Sequence, residues 1–284
     1  METNYNIDII KMRLSHKDYI LIDQKKNNLD RNIIFQKAQL ICHRKKGMGA
    51  LGILLIEYKD HTPFVTLIDK KGNPSNDVDA YLCAARYLFE KGSYGEESFH
   101  LQTPKNKLDI THIELGTYLL DLGRVSAQKQ ELNKPIQSDL ANIKVKNKHE
   151  TQYMSDLTLN NKQSYVHIAT TTRKKKEEAN FYTTYRGFIP ANVELLRVYP
   201  QSNDEFLLSM EDRKGSLIES VAKGAIALTL NGFGQDQMIT NINTTEFYIN
   251  WAYTVGVASK PEYILSGRFT FDFENSDKNA GDLY

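Results

Sequence analysis

Residues 69–92 read DKKGNPSNDVDAYLCAARYLFEKG. The stretch opens on a polar turn, Gly72-Asn73-Pro74. Ser75, Asn76 and Asp77 follow, three residue types whose side-chain oxygens cap the N–H groups at a helix start. Residues 78–89 are then apolar on almost every side: Val78, Ala80, Tyr81, Leu82, Cys83, Ala84, Ala85, Tyr87, Leu88 and Phe89. A surface helix carries one apolar stripe, so this pattern predicts a helix buried at the centre of a domain. Lys91 and Gly92 close it, a cation and a glycine suited to a helix C-terminus. Residues 219–232, ESVAKGAIALTLNG, repeat the grammar: short, apolar all round and closed by glycine. Two such helices predict two similar halves.

Around them the pattern is mostly of strands. Residues 18–23, DYILID, alternate and carry β-formers; residues 32–44 place Ile34, Ala38, Leu40 and Ile41 at helical spacing and end at a glycine-rich turn, residues 47–52. Strands over 53–58 and 64–68 lead into the first central helix, and 98–102, 108–114 and 117–122 read as a meander after it. Strands over 165–170, 192–199 and 205–210 precede the second helix, and 246–257 and 263–273 close the chain. The polar, lysine-rich run 123–148 is the expected boundary. The expected domains are therefore 1–135 and 136–262, with strand 263–275 returning to the first and 276–284 a polar tail. The fold class is α+β: two pseudo-symmetric domains, each a curled, largely antiparallel sheet around a buried helix.

Lysines and arginines number 36 against 35 acidic residues, a net charge of +1. That balance excludes the basic excess of a nucleic-acid or membrane-surface protein. The basic run at 173–176 is offset at once by Glu177 and Glu178. Two cysteines, Cys42 and Cys83, make neither a disulfide framework nor a metal site, and the seven histidines lack metal-ligand spacing. Residues 1–19 alternate polar and apolar without the apolar core of a secretory signal, and no apolar run approaches the ~20 residues that span a bilayer. A cytoplasmic protein without metal, membrane or nucleic-acid partner is expected.

In order along the chain, several motifs resemble the diaminopimelate epimerase family of cofactor-independent amino-acid epimerases and racemases. Asp18-Tyr19-Ile20-Leu21-Ile22-Asp23 resembles the family's opening strand, and Cys42-His43-Arg44 with the turn at 47–52 its arginine and glycine–x–glycine–alanine segment. Residues 85–92 resemble the back half of the first active-site helix, and Asp121-Leu122-Gly123 the aspartate–methionine–glycine strand end. Asn192-Val193-Glu194 matches the substrate strand, and 246–267, with Trp251 and Pro261-Glu262-Tyr263, the closing strands. The resemblance implies no cofactor, an amino-acid-like ligand held between the N-termini of two central helices, and an assembly that can be a homodimer. It places the relatives in lysine biosynthesis. Helix N-termini suit an α-carboxylate through their free N–H groups and positive dipole end.

The resemblance also locates what is missing. The family carries one catalytic cysteine on each helix; here Asp77 stands at the first position, or Val78 in a register shifted by one, and Lys223 at the second. Asp77 and Lys223 are thus the candidate acid/base pair, weighed against an N-cap role for Asp77 and a salt bridge between the two. Asp69, Asn192, Asp212, Arg213, Glu219 and Gly224 fall at or beside the family's substrate-contact positions. Cys83 lies almost two turns into an apolar helix and reads as core, and Cys42 as a packing or surface residue. Two functions follow from this reading. One is an isomerase of the epimerase type with replaced bases, as in the phenazine-biosynthesis branch of the fold, which uses a carboxylate. The other is an inactive relative that binds a ligand or serves assembly.

Overall fold

The computed structural model describes residues 4–27, 29–114, 116–124, 126–131, 153–170, 175–187, 189–211, 215–251 and 254–272 of the 284. The expected tail at 276–284 and most of the expected boundary segment lie outside them. The first elements are β1 (Asn4–Leu14), β2 (Lys17–Asp23), α1 (Arg31–Ile41), β3 (Gly52–Lys59), β4 (Thr62–Asp69), β5 (Pro74–Ser75), α2 (Val78–Glu90), β6 (Ser98–Gln102), β7 (Lys107–Glu114) and β8 (Thr117–Asp121). There follow β9 (Ser126–Glu131), β10 (Tyr153–Leu159), β11 (Lys162–Ile168), α3 (Lys175–Arg186), β12 (Glu194–Pro200), β13 (Glu205–Met210), α4 (Leu217–Leu230), β14 (Gln237–Ile242), β15 (Thr245–Trp251), β16 (Val255–Ser259) and β17 (Glu262–Asp272). The chain divides into two compact units, Met1–Leu120 with Lys260–Tyr284, and Asp121–Ser259.

Each unit repeats one pairing scheme. In the first, β17 pairs antiparallel with β1 and β1 with β2; β2 runs parallel to β3, β3 antiparallel to β4 and β4 parallel to β6; β6–β7 and β7–β8 are antiparallel. In the second, β9, β10, β11, β12, β13, β14, β15 and β16 pair in the same succession of senses. A parallel step needs a crossover, and the helices supply it: α1 and α3 at the first parallel step of each unit, α2 and α4 at the second. The two-residue hairpins Asp60-His61 and Asn160-Asn161 hold both residues at positive φ, the turn whose twist matches paired strands.

The central helices are buried as their sequences predict. In α2, ten of 13 residues are buried, and the helix packs on β1, β2, β3 and β4; in α4, twelve of 14 are buried against both flanks of its own sheet. Ser216 caps α4 by accepting the Glu219 N–H, so this helix begins two residues before the expected 219. Gly224 marks its closest approach to the sheet: a Cβ there would lie 3.0 Å from Phe206 and from Val198. The expected strand at 246–257 is two strands, β15 and β16. The charged run at 173–178 leads into α3, which the sequence reading leaves as loop or helix surface. Its buried Phe181 and Tyr185, four residues apart, share one face and form a core with Met154, Ile189, Val193 and Leu195.

Under α3 lies His167 of β11, its ring 4.8 Å from Phe181 and 6.2 Å from Tyr185. Burial, and then the charge of Arg197, push its pKa down to about 3. In the unfolded chain the imidazole takes up a proton near its ordinary value, while the folded protein resists until far lower pH. Stability from this residue is therefore present above about 6.5 and lost as pH falls. Between pH 7 and 4.5 wild type should lose about 2–3 kcal/mol more than His167→Phe, read from urea unfolding at both pH values. Equal losses would remove His167 as a source of acid sensitivity.

Candidate functional site

The first central helix starts in a buried ionic cluster. Asp77 is the N-cap of α2, extended at φ −148° and ψ 114°, and its Oδ1 accepts the Asp79 N–H at 3.2 Å. Its Oδ2 accepts from two donors on β2, Lys17 Nζ at 2.8 Å and the Tyr19 hydroxyl at 2.8 Å. Lys17 Nζ is also 2.8 Å from Asp79 Oδ2. Lys17 and Tyr19 are two apart on a strand and so face the same side. The side chains of Lys17 and Asp79 are 1% and 0% exposed, while that of Asp77 is 20% exposed, at the margin of the cluster.

One ammonium, that of Lys17, contacts both carboxylates. Burial works against the Lys17 charge, but the neighbouring Asp79 and Asp77 outweigh it and raise its pKa, so it stays protonated. Burial, followed by the charge of Asp79, pushes Asp77 up to about 6, against the pull of Lys17 and Tyr19. Burial and the same carboxylates hold Tyr19 well above its usual range, as a neutral donor.

The second unit places different groups around its helix. Lys162 opens β11 as Lys17 opens β2, and its Nζ lies 2.7 Å from Glu219 Oε2 in the first turn of α4; Asn160 donates to Glu219 Oε1 at 3.1 Å. The cap itself is the neutral Ser216. Lys223 belongs to another cluster. Its Nζ donates to Ser164 Oγ at 2.7 Å and to Glu194 Oε2 at 3.0 Å, and Glu194 also accepts from Ser164 at 2.7 Å and Ser220 at 2.6 Å.

Sequence reading expects Asp77 and Lys223 at equivalent helix starts, and here the structure corrects it. Lys223 is the seventh residue of α4, level with Ala84 of α2, and its side chain is 1% exposed among the strands. Asp77 instead corresponds to Ser216. Asp77 finds its cation in Lys17 and Lys223 its anion in Glu194, each within its own unit. Glu219 is buried and neutralised by Lys162, and Gly224 faces Phe206 and Val198. Asp69 accepts from the N–H groups of Lys71 and Asn73 and shapes the turn after β4. Asn192 is exposed in the turn before β12. Asp212 and Arg213 lie outside the described residues. Neither cysteine is poised for chemistry: Cys83 is fully buried with its pKa well above the usual range, and burial pushes Cys42 up to about 12.

A cavity of about 870 Å3 opens at the other end of α2, beside Tyr87, Glu90 and Lys91. It contains none of the expected site residues. Its buried carboxylate, Asp23, is held by Tyr87 at 2.8 Å and Tyr58 at 3.3 Å. Among the described residues no group of three His, Cys, Asp or Glu could hold a metal, and no helix is long and apolar enough to cross a membrane.

No protein-family model matches the chain. The diaminopimelate epimerase of Carboxydothermus hydrogenoformans is 20% identical over 272 residues, spanning 93% of this chain and 99% of that protein. The enzyme of the same name from Oceanobacillus iheyensis is 24% identical over 166 residues, 55% of this chain and 57% of that one. A phenazine biosynthesis PhzC/PhzF protein from Clostridium difficile has the same fold, with TM-score 0.60 at 13% identity, covering 94% of this chain and 98% of that chain. A hydroxyproline epimerase from Agrobacterium vitis, solved with trans-4-hydroxy-L-proline, gives TM-score 0.55 at 7% identity, covering 95% and 93%. With one buried central helix in each unit and coverage of 93% of this chain and 99% of the Carboxydothermus enzyme, this chain is similar, at a distance, to the diaminopimelate epimerases and shares the fold of these solved structures.

Proposed function

We propose that this protein is a cofactor-independent isomerase in which a carboxylate, Asp77, replaces a thiol as the group that exchanges the substrate's proton. The observation that supports this reading is the cluster at the start of α2, where two carboxylates share Lys17 and where burial and the charge of Asp79 push the pKa of the partly exposed one, Asp77, up to about 6. A general acid/base works best when its pKa lies near the working pH. The substrate class is a small amino-acid-like molecule, in keeping with the hydroxyproline epimerase of the same fold. Asp77 takes the hydrogen on the carbon next to a carboxylate or carbonyl. The C–H bond breaks, its electron pair moves into the carbonyl as an enolate, and an O–H bond forms on Asp77. Returning the proton to the same carbon and face regenerates the substrate with an exchanged hydrogen; net isomerisation comes from delivering it to another carbon over which the anion is delocalised. Lys223 enters as a structural cation, because Glu194 and Ser164 already occupy its ammonium. That same occupation, with both thiols buried, favours the second reading, a ligand-binding protein without catalysis.

The test is loss of the α-hydrogen signal in D₂O across a panel of L- and D-amino acids that includes hydroxyproline. Exchange with some member is expected, and Asp77→Asn should slow it by roughly 100-fold or more. Asparagine is as good an N-cap as aspartate, so the variant should keep the helix cap, checked by its far-UV circular dichroism. Undiminished exchange in Asp77→Asn would end the assignment. A silent panel whose members nonetheless raise the melting temperature would support the binding reading.

A further inference from the structure

We propose that Lys17, Asp79 and Tyr19 form a positioning set for Asp77: they anchor its Oδ2 and leave Oδ1 as the atom that gains and loses the proton. The proposal rests on the reading of Asp77 as the proton carrier and says which groups make it one.

An N-cap needs a single oxygen, and here Oδ1 fills that role through one long bond, 3.2 Å from the Asp79 N–H. Oδ2 goes beyond capping. It faces an ammonium and a phenol hydroxyl, each at 2.8 Å, and both are donors only toward it. A proton placed on Oδ2 would displace a charge-assisted bond, the strongest contact the carboxylate makes. A proton on Oδ1 displaces one weak N–H bond. The two oxygens are thus unequal, and the less held one is available.

Asp79 competes with Asp77 for Lys17: its fully buried side chain places Oδ2 2.8 Å from the same ammonium, so Asp77 holds Lys17 only in part. The other titratable groups around it do not compete. On α2, Tyr81 and Cys83 are buried and both held above their usual ranges, hence neutral; on β2, Tyr19 is neutral and Lys17 charged. In the second unit the strand-opening Lys162 pairs with Glu219 in the first turn of α4, and the cap is the neutral Ser216.

Titration of ¹³C-carboxyl aspartate by NMR reads the set directly, without any substrate. Asp77 should titrate near 6 in the wild-type protein. Asp79→Asn gives Lys17 wholly to Asp77 and should lower the midpoint by about one pH unit or more; Tyr19→Phe removes a donor to the ionised form and should raise it by about half a unit. If Asp79→Asn does not fold, Tyr19→Phe carries the test alone. A wild-type midpoint near 4, or a midpoint that neither variant moves, overturns the positioning set. The companion readout is the pH profile of α-hydrogen exchange, whose limb should follow the NMR midpoint in each variant. Shifted midpoints with no exchange on any substrate would sink the isomerase reading and keep the set. Exchange whose pH limb stays fixed in both variants would remove Asp77 as the proton carrier, and the positioning set with it.

Discussion

Replacing Lys17 by methionine should destabilise the protein at pH 7 by about 3–5 kcal/mol. Methionine preserves much of the volume, so packing is not the main loss. The variant strands two carboxylates that now share one ammonium at 2.8 Å, one of them fully buried. Removing one partner of a buried ion pair takes the counter-charge from the other, and here Lys17 is shared by two. The deficit should depend on pH with a definite sign. Without Lys17 both carboxyls take up protons more readily when folded, so the variant loses stability as pH rises through their raised pKa values. Its deficit should shrink by about 1–2 kcal/mol between pH 7 and 5. Guanidinium unfolding of wild type and variant at both pH values decides it. A deficit below about 1 kcal/mol at pH 7, or one that widens in acid, would show that Lys17 is not the counter-charge of this cluster.

The second large effect is expected at Lys223. Lys223→Met should destabilise by about 2–4 kcal/mol, because Glu194 and Ser164 lose the cation that organises them. The double variant Lys223→Met with Glu194→Gln should recover most of that loss, since it neutralises the pair and keeps acceptors for Ser164 and Ser220. Thermal unfolding of wild type, both single variants and the double variant closes the cycle. If Lys223→Met unfolds like wild type, the lysine is not committed to structure, and the acid/base role expected from its place in the sequence returns.

Much of the fold is legible in the chain because burial leaves a periodic trace. Val78 to Phe89 and Val221 to Leu228 are apolar in almost every direction, which marks a central helix. Residues 4–14 largely alternate polar and apolar, yet their meaning as β1 depends on a partner far along the chain. The charges of Lys175, Lys176, Glu177 and Glu178 mask α3, whose two aromatic anchors matter more than its polar start. The candidate site was half legible. Asp77 announces itself as a cap, whereas Lys17 lies 60 residues earlier, and nothing local says that its strand meets that helix. Lys223 aligns with a family cysteine by letters, but the Ser216 cap sets the helix back and turns the lysine inward. A sequence motif records neighbours along the chain; depth along a helix is fixed by where the cap falls.

The returning strand β17 bears on how the molecule is made. It pairs with β1 from Asn4–Asp272 to Arg13–Glu262, so the first unit draws on residues from both ends of the described chain, while the second is drawn from one continuous run. During synthesis, β1 must wait for some 250 later residues before that edge is satisfied, at a rate of about 5–20 residues per second. The second unit has all its strands in hand earlier. Nascent chains should therefore acquire protease resistance in the second unit first, and for many seconds the first should present β1 as an open edge to chaperones or to other copies of itself.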